Sequence, residues 1–119
     1  MREIKRIGAQ GDVTFKRVAK LPAGVQEVKR SGPVVVAHSE TGHHHIIEAP
    51  HVLHYETDNP LVGYVVDVPG TRAPVDVEHL RSFDTHETIR LLNETEEPAV
   101  WQIIREREWV PEGWQRAQD

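Results

Sequence analysis

The chain has 119 residues, no cysteine, a formal net charge of −5 and an apolar share of 38%. That length allows one domain with a modest core, and the missing cysteine excludes disulfides and thiolate metal ligands, leaving His and carboxylates for any transition-metal site. No run approaches the roughly 18–20 apolar residues of a membrane-spanning helix, and residues 1–12 are basic but lack the apolar stretch of a secretory signal. The charge is unevenly spread. Residues 1–30 carry eight Lys/Arg against three Asp/Glu, and residues 31–119 carry six against sixteen. Such asymmetry is neutralised inside one sheet, or it marks a basic edge that docks on an acidic partner or a second copy. Nucleic acid is a poor fit, because the basic segment holds Phe15 as its sole aromatic residue and the whole chain is acidic.

Pro and Gly punctuate the sequence at short intervals, and the segments between them are rich in Val, Ile, Thr and aromatics. This is the pattern of an all-β fold, a small antiparallel barrel or sandwich with at most a short helix. The whole of 1–119 reads as a single β domain. In chain order, strands are predicted at Val13–Ala19, Val25–Arg30, Val34–His38, His43–Glu48, Val52–Glu56, Leu61–Val68, Thr88–Leu92 and Ala99–Trp109. In the last, Trp101, Ile103, Arg105, Arg107 and Trp109 share one face by alternation. Residues 75–87 are ambiguous: Val75 to Leu80 alternates like a strand, whereas Glu78–Glu87 suits a short helix. The tail from Pro111 reads as a final helical turn.

The sequence has eight histidines, and five of them, at 38, 43, 44, 45 and 51, lie within fourteen residues. Val34 to His38 reads as a buried strand, Ser39 to Gly42 as a four-residue turn, and His43 to Glu48 as the returning strand. This hairpin sets His38 opposite His43. Alternation adds His45 to the same face, opposite Val36, and turns His44 away with Ile46. Three imidazoles at one hairpin end suit a divalent ion, zinc first, with a fourth position open to water or a further ligand. His86, Glu48, His51 and Glu40 are candidates for that position. Glu40, Thr41 and Asp84 are candidates to accept from the second ring nitrogens.

Gly11-Asp12-Val13, Leu21-Pro22-Ala23-Gly24, the valine strand running into His38–His45, the segment at His86 and the closing Arg105 to Pro111 occur in this order. Together they resemble a family of small, functionally uncharacterised bacterial and phage β proteins. The resemblance covers nearly the whole chain and implies that His86 is the distant member of the histidine set. Relatives often carry a further His where this chain has Phe83.

Other constellations are weaker. A cupin-like metalloenzyme needs a Glu a few residues beyond the His-x-His pair, and Glu48 comes one residue too early. Ser31, Ser39 and Ser82 lack the context of an activated nucleophile. There is no phosphate loop and no HExxH. Trp101, Trp109 and Trp114 suit core packing or an oligomer interface. The expected protein is therefore a small metal-binding β domain with His38, His43, His45 and His86 as ligands of a divalent ion, zinc first, and no identifiable catalytic machinery. The alternative is a phage-type structural or accessory protein, and a cupin-like metalloenzyme stands third. A homo-oligomer or larger assembly is the expected partner, and the cytoplasm, or the virion of a phage, the expected location.

Overall fold

The computed structural model describes residues 1–29, 31–37, 44–68, 74–79, 87–94, 97–110 and 113–116, with side chains up to Glu106. Every regular element among the described residues is a strand. In chain order these are β1 (Arg2–Ile4), β2 (Ile7–Gln10), β3 (Val13–Val18), β4 (Gln26–Glu27), β5 (Val34–Ala37), β6 (His45–Ile47), β7 (Val52–Glu56), β8 (Val62–Asp67), β9 (Val75–His79), β10 (Ile89–Leu91), β11 (Ala99–Arg105), β12 (Arg107–Val110) and β13 (Gly113–Arg116).

A five-stranded sheet runs in the order β1-β10-β9-β6-β5, and a six-stranded sheet runs β2-β3-β11-β8-β7-β4. Pairing is antiparallel throughout both, except that β1 lies parallel to β10. Neither sheet closes on itself, so the all-β fold is sandwich-like. Strand alternation fills the space between the sheets. Val13, Phe15, Val65, Trp101 and Ile103 of the larger sheet join Val36, Ile47, Val75, Val77 and Ile89 of the smaller one in a single core. Each such fully buried side chain stabilises the fold by about 1.5–3 kcal/mol. A smaller cluster of Tyr64, Val66 and Val100 lies on the outer face of the larger sheet, under Leu21 and Val25.

Several sequence expectations are corrected. Residues 1–12 were given no strand, yet they form β1 and β2. Gln10 pairs with Val13 across a two-residue Gly11-Asp12 loop, with Gly11 at φ 63°. Such tight hairpin loops need a positive φ, which glycine adopts without strain. The strand expected over Val25–Arg30 contracts to Gln26–Glu27, because Val25 leaves the ladder to pack on the outer cluster. The long strand expected over Ala99–Trp109 breaks at Glu106, whose N–H donates to Asp12 O (3.1 Å), and β12 then pairs with β13 in a separate ribbon. Gly113–Arg116 is thus a strand where a helical turn was expected. Val75–His79 takes the strand alternative, and residues 80–86 lie outside the described set.

The hairpin register also differs. His45 faces Ala37 rather than Val36, because a bulge between Val35 and Ala37 inserts one residue. The Val36 carbonyl accepts instead from Arg105 Nε (2.5 Å), across the gap between the sheets. Arg105 Nη1 donates to Pro60 O (2.9 Å), and the guanidinium rests on Gly63, where a Cβ would come within 3.2 Å of it. One arginine thus joins both sheets at this end of the sandwich and holds the bulge. Part of the charge asymmetry is settled internally: the N-terminal ammonium pairs with Glu87 (3.0 Å) and Lys5 with Glu94 (3.3 Å).

Candidate functional site

Alternation along β6 and β9 turns His45 and His79 to the interior, on the faces that carry Ile47 and Val77. The two strands are neighbours, and their register places His45 directly against His79. The rings stack with centroids 4.0 Å apart and planes 3° from parallel. Both residues are buried, at 4% and 5% exposure. They sit at the end of the sandwich where Arg105 meets Val36, since Ala37 is the register partner of His45.

Gln10 reaches this pair from β2 in the other sheet. Its Nε2 donates to Val77 O (2.8 Å) and Glu87 O (2.9 Å). Its Oε1 lies 2.8 Å from His45 Nδ1. Carbonyls only accept, so the two Nε2 contacts fix which end of the amide is which, and Oε1 must accept from an Nδ1–H. In the neutral ring Nε2 is then the basic atom. A ring nitrogen held by a fixed acceptor is how a ligating or proton-accepting histidine is commonly oriented.

Of the sequence-predicted ligands, His45 lies in this site. His38, His43 and His86 lie outside the described residues, as do Glu40, Thr41 and Asp84. Glu87, the covalent neighbour of His86, is tied to His45 through the Gln10 amide. Glu48 is exposed and follows the far end of β6, on the opposite face from His45, so it is removed as a fourth ligand. His51 is removed as well, because it pairs with Asp67 (Nε2 to Oδ1, 3.3 Å). Asp67 stands opposite Ala99, six residues along β11 from Arg105 and so roughly 20 Å from that end. Burial pushes the Asp67 carboxyl above its ordinary range, against the pull of His51 and Arg17. Among the described residues no three His, Asp or Glu side chains form a group that holds a metal.

Sequence reasoning missed Gln10 and passed over His79. Alternation from Val75 to His79 already put His79 on the buried face, but its pairing with β6 is a long-range fact. The Gly11-Asp12 dipeptide before Val13 was the available signal for a hairpin that ends on Gln10.

The fold and site define a class: an open, two-sheet β-sandwich with a buried histidine pair at one mouth, oriented by a glutamine from the opposite sheet. Within that class the chain belongs to the family described as Domain of unknown function (DUF8820), whose model matches residues 9–105. No curated protein matches the chain, and neither does any solved structure.

Proposed function

We propose that this protein is a small β domain that binds a divalent metal ion, with zinc as the best fit, at a centre founded on His45 and His79. One observation carries the reading: two imidazoles stand stacked and buried at the mouth of the sandwich, one of them with its tautomer set by Gln10. Tetrahedral zinc holds imidazole nitrogens about 3.3 Å apart. Rings stacked 4.0 Å apart aim their in-plane lone pairs side by side, so sharing one ion requires each ring to turn by roughly 55° toward the tetrahedral angle. His43 lies two residues before His45, and His38 follows Ala37, the register partner of His45. With His86 next to Glu87, these are the residues the reading assigns to complete the set. No nucleophile or general base is assigned, and the role is binding rather than catalysis.

Thermal unfolding of metal-stripped protein, with and without zinc, tests this. A ligand at 100 times its Kd stabilises the fold by about 2.7 kcal/mol. The reading requires a rise in Tm with zinc that chelator reverses. Unchanged unfolding at millimolar zinc would sink it.

A further inference from the structure

Gln10 belongs to none of the sequence motifs, yet it joins three elements at the histidine pair. It is 2% exposed, stands at the end of edge strand β2, and crosses the gap between the sheets to Val77 O on β9, to Glu87 O before β10 and to His45 on β6. We propose that Gln10 is the positioning residue of the centre. It locks His45 in the Nδ1–H tautomer, so that Nε2 is the ring atom that carries the lone pair. It also makes the centre contingent on β2 being docked. The identity of the bound ion rests on the metal reading above; the tautomer lock does not.

The lock follows from atom types. A primary amide has two N–H donors and one oxygen acceptor. Both donors are consumed by main-chain carbonyls, which accept and never donate. The amide orientation is therefore set without reference to the imidazole. Its oxygen then faces His45 Nδ1 at 2.8 Å, which is a hydrogen-bond distance only if Nδ1 carries the proton. A solvent-exposed neutral histidine side chain favours the other tautomer modestly, with its proton on Nε2. At this buried position that form would set two lone pairs against each other with water excluded. The carbonyl that orients Gln10 lies on β9 two residues before His79, so the strand bearing the second ring is fixed by the same side chain. A residue that merely clamped the sheets together would be indifferent to which nitrogen of His45 holds the proton.

The test is long-range proton–nitrogen NMR of uniformly 15N-labelled, metal-free protein at about pH 8, where an ordinary imidazole is neutral. Zinc titration accompanies it. The proposal requires a protonated Nδ1 and a pyridine-like Nε2 for wild-type His45. Gln10→Met keeps the length and removes the hydrogen bonds. It should move His45 toward the Nε2–H form and weaken zinc binding by about 10- to 100-fold, the usual cost of losing a partner behind a ligating His. Gln10→Glu keeps an acceptor for Nδ1–H and should retain the tautomer. Wild-type His45 found as the Nε2–H tautomer overturns the proposal, and so does a Gln10→Met variant that keeps both tautomer and zinc affinity. If Gln10→Met fails to fold, the wild-type spectrum alone decides. If the tautomer behaves as required while wild-type protein ignores zinc, the lock stands and the metal reading falls.

Discussion

Replacing Arg105 with Met tests whether one side chain holds the two sheets together at the site end. Methionine preserves most of the aliphatic stem and removes the guanidinium. Among the described contacts, the loss falls on Val36 O at 2.5 Å and Pro60 O at 2.9 Å. Pro60 is exposed, so its carbonyl rehydrates and contributes little. Val36 is fully buried, and its carbonyl sits in a bulge outside the strand ladder. A hydrogen bond from a charged donor is worth about 1.5–3 kcal/mol, and a buried acceptor left without its donor costs a similar amount. The expected loss is therefore about 2–3 kcal/mol, a large fraction of the roughly 5–15 kcal/mol that holds a domain folded. Urea unfolding at constant m-value measures it directly. Backbone amides around Val36 should also exchange faster than in wild type. A loss below about 1 kcal/mol, with unchanged exchange at the bulge, would refute the reasoning. It would mean that water or a relaxed ladder satisfies Val36 equally well.

Further outcomes follow from other positions. A Cβ on Gly8 would fall 2.1 Å from Ile4 Cδ1, so Gly8→Ala should cost about 1–3 kcal/mol. Shortening Ile4 to Val in the same chain should recover part of that cost; simple additivity would show that the clash is not its cause. Trp101 is buried at 1% exposure, and among the described residues its indole N–H has no acceptor. Trp101→Ala should then cost about 3–5 kcal/mol by cavity formation. Trp101→Phe should cost far less, because it also removes an unsatisfied donor; equal costs would contradict this account. Burial raises the folded-state pKa of Asp67 above its unfolded value. Its contribution to stability is therefore fully present below the unfolded pKa and is lost as pH rises through the folded one. Asp67→Asn removes that dependence, so the variant should gain on wild type as pH climbs from about 3 toward neutrality. A variant that loses ground over that range would show that the pairing with His51 and Arg17 outweighs desolvation.

The class of fold was legible because alternation and turn residues are local signals. Val52–Glu56 was read to the residue, and β3, β8 and β11 to within a few residues at their ends. What escaped was set by distant partners. The bulge at Val36 depends on an arginine 69 positions away in sequence, and a one-residue insertion is enough to move His45 from Val36 to Ala37. Strand β1 is three residues long and owes its place to β10. The site was half visible. His45 stood out within a dense histidine string, whereas His79 looked like an isolated histidine until β9 was seen beside β6. Gln10 carried no chemical signal of its own. Its role comes from crossing between sheets, which no local pattern records.

The proposed metal centre rests on His45 and His79. Elemental analysis of untagged protein, after exposure to zinc and removal of free ion, tests it most directly, with His45→Ala, His79→Ala and His51→Ala measured alongside. The account predicts one zinc per chain in wild type and in His51→Ala, whose imidazole belongs to the Asp67 pair at the other end of the sandwich, and loss of zinc from each of the other two. A folded His79→Ala variant that retains its zinc, or wild-type protein that takes up none, would contradict it.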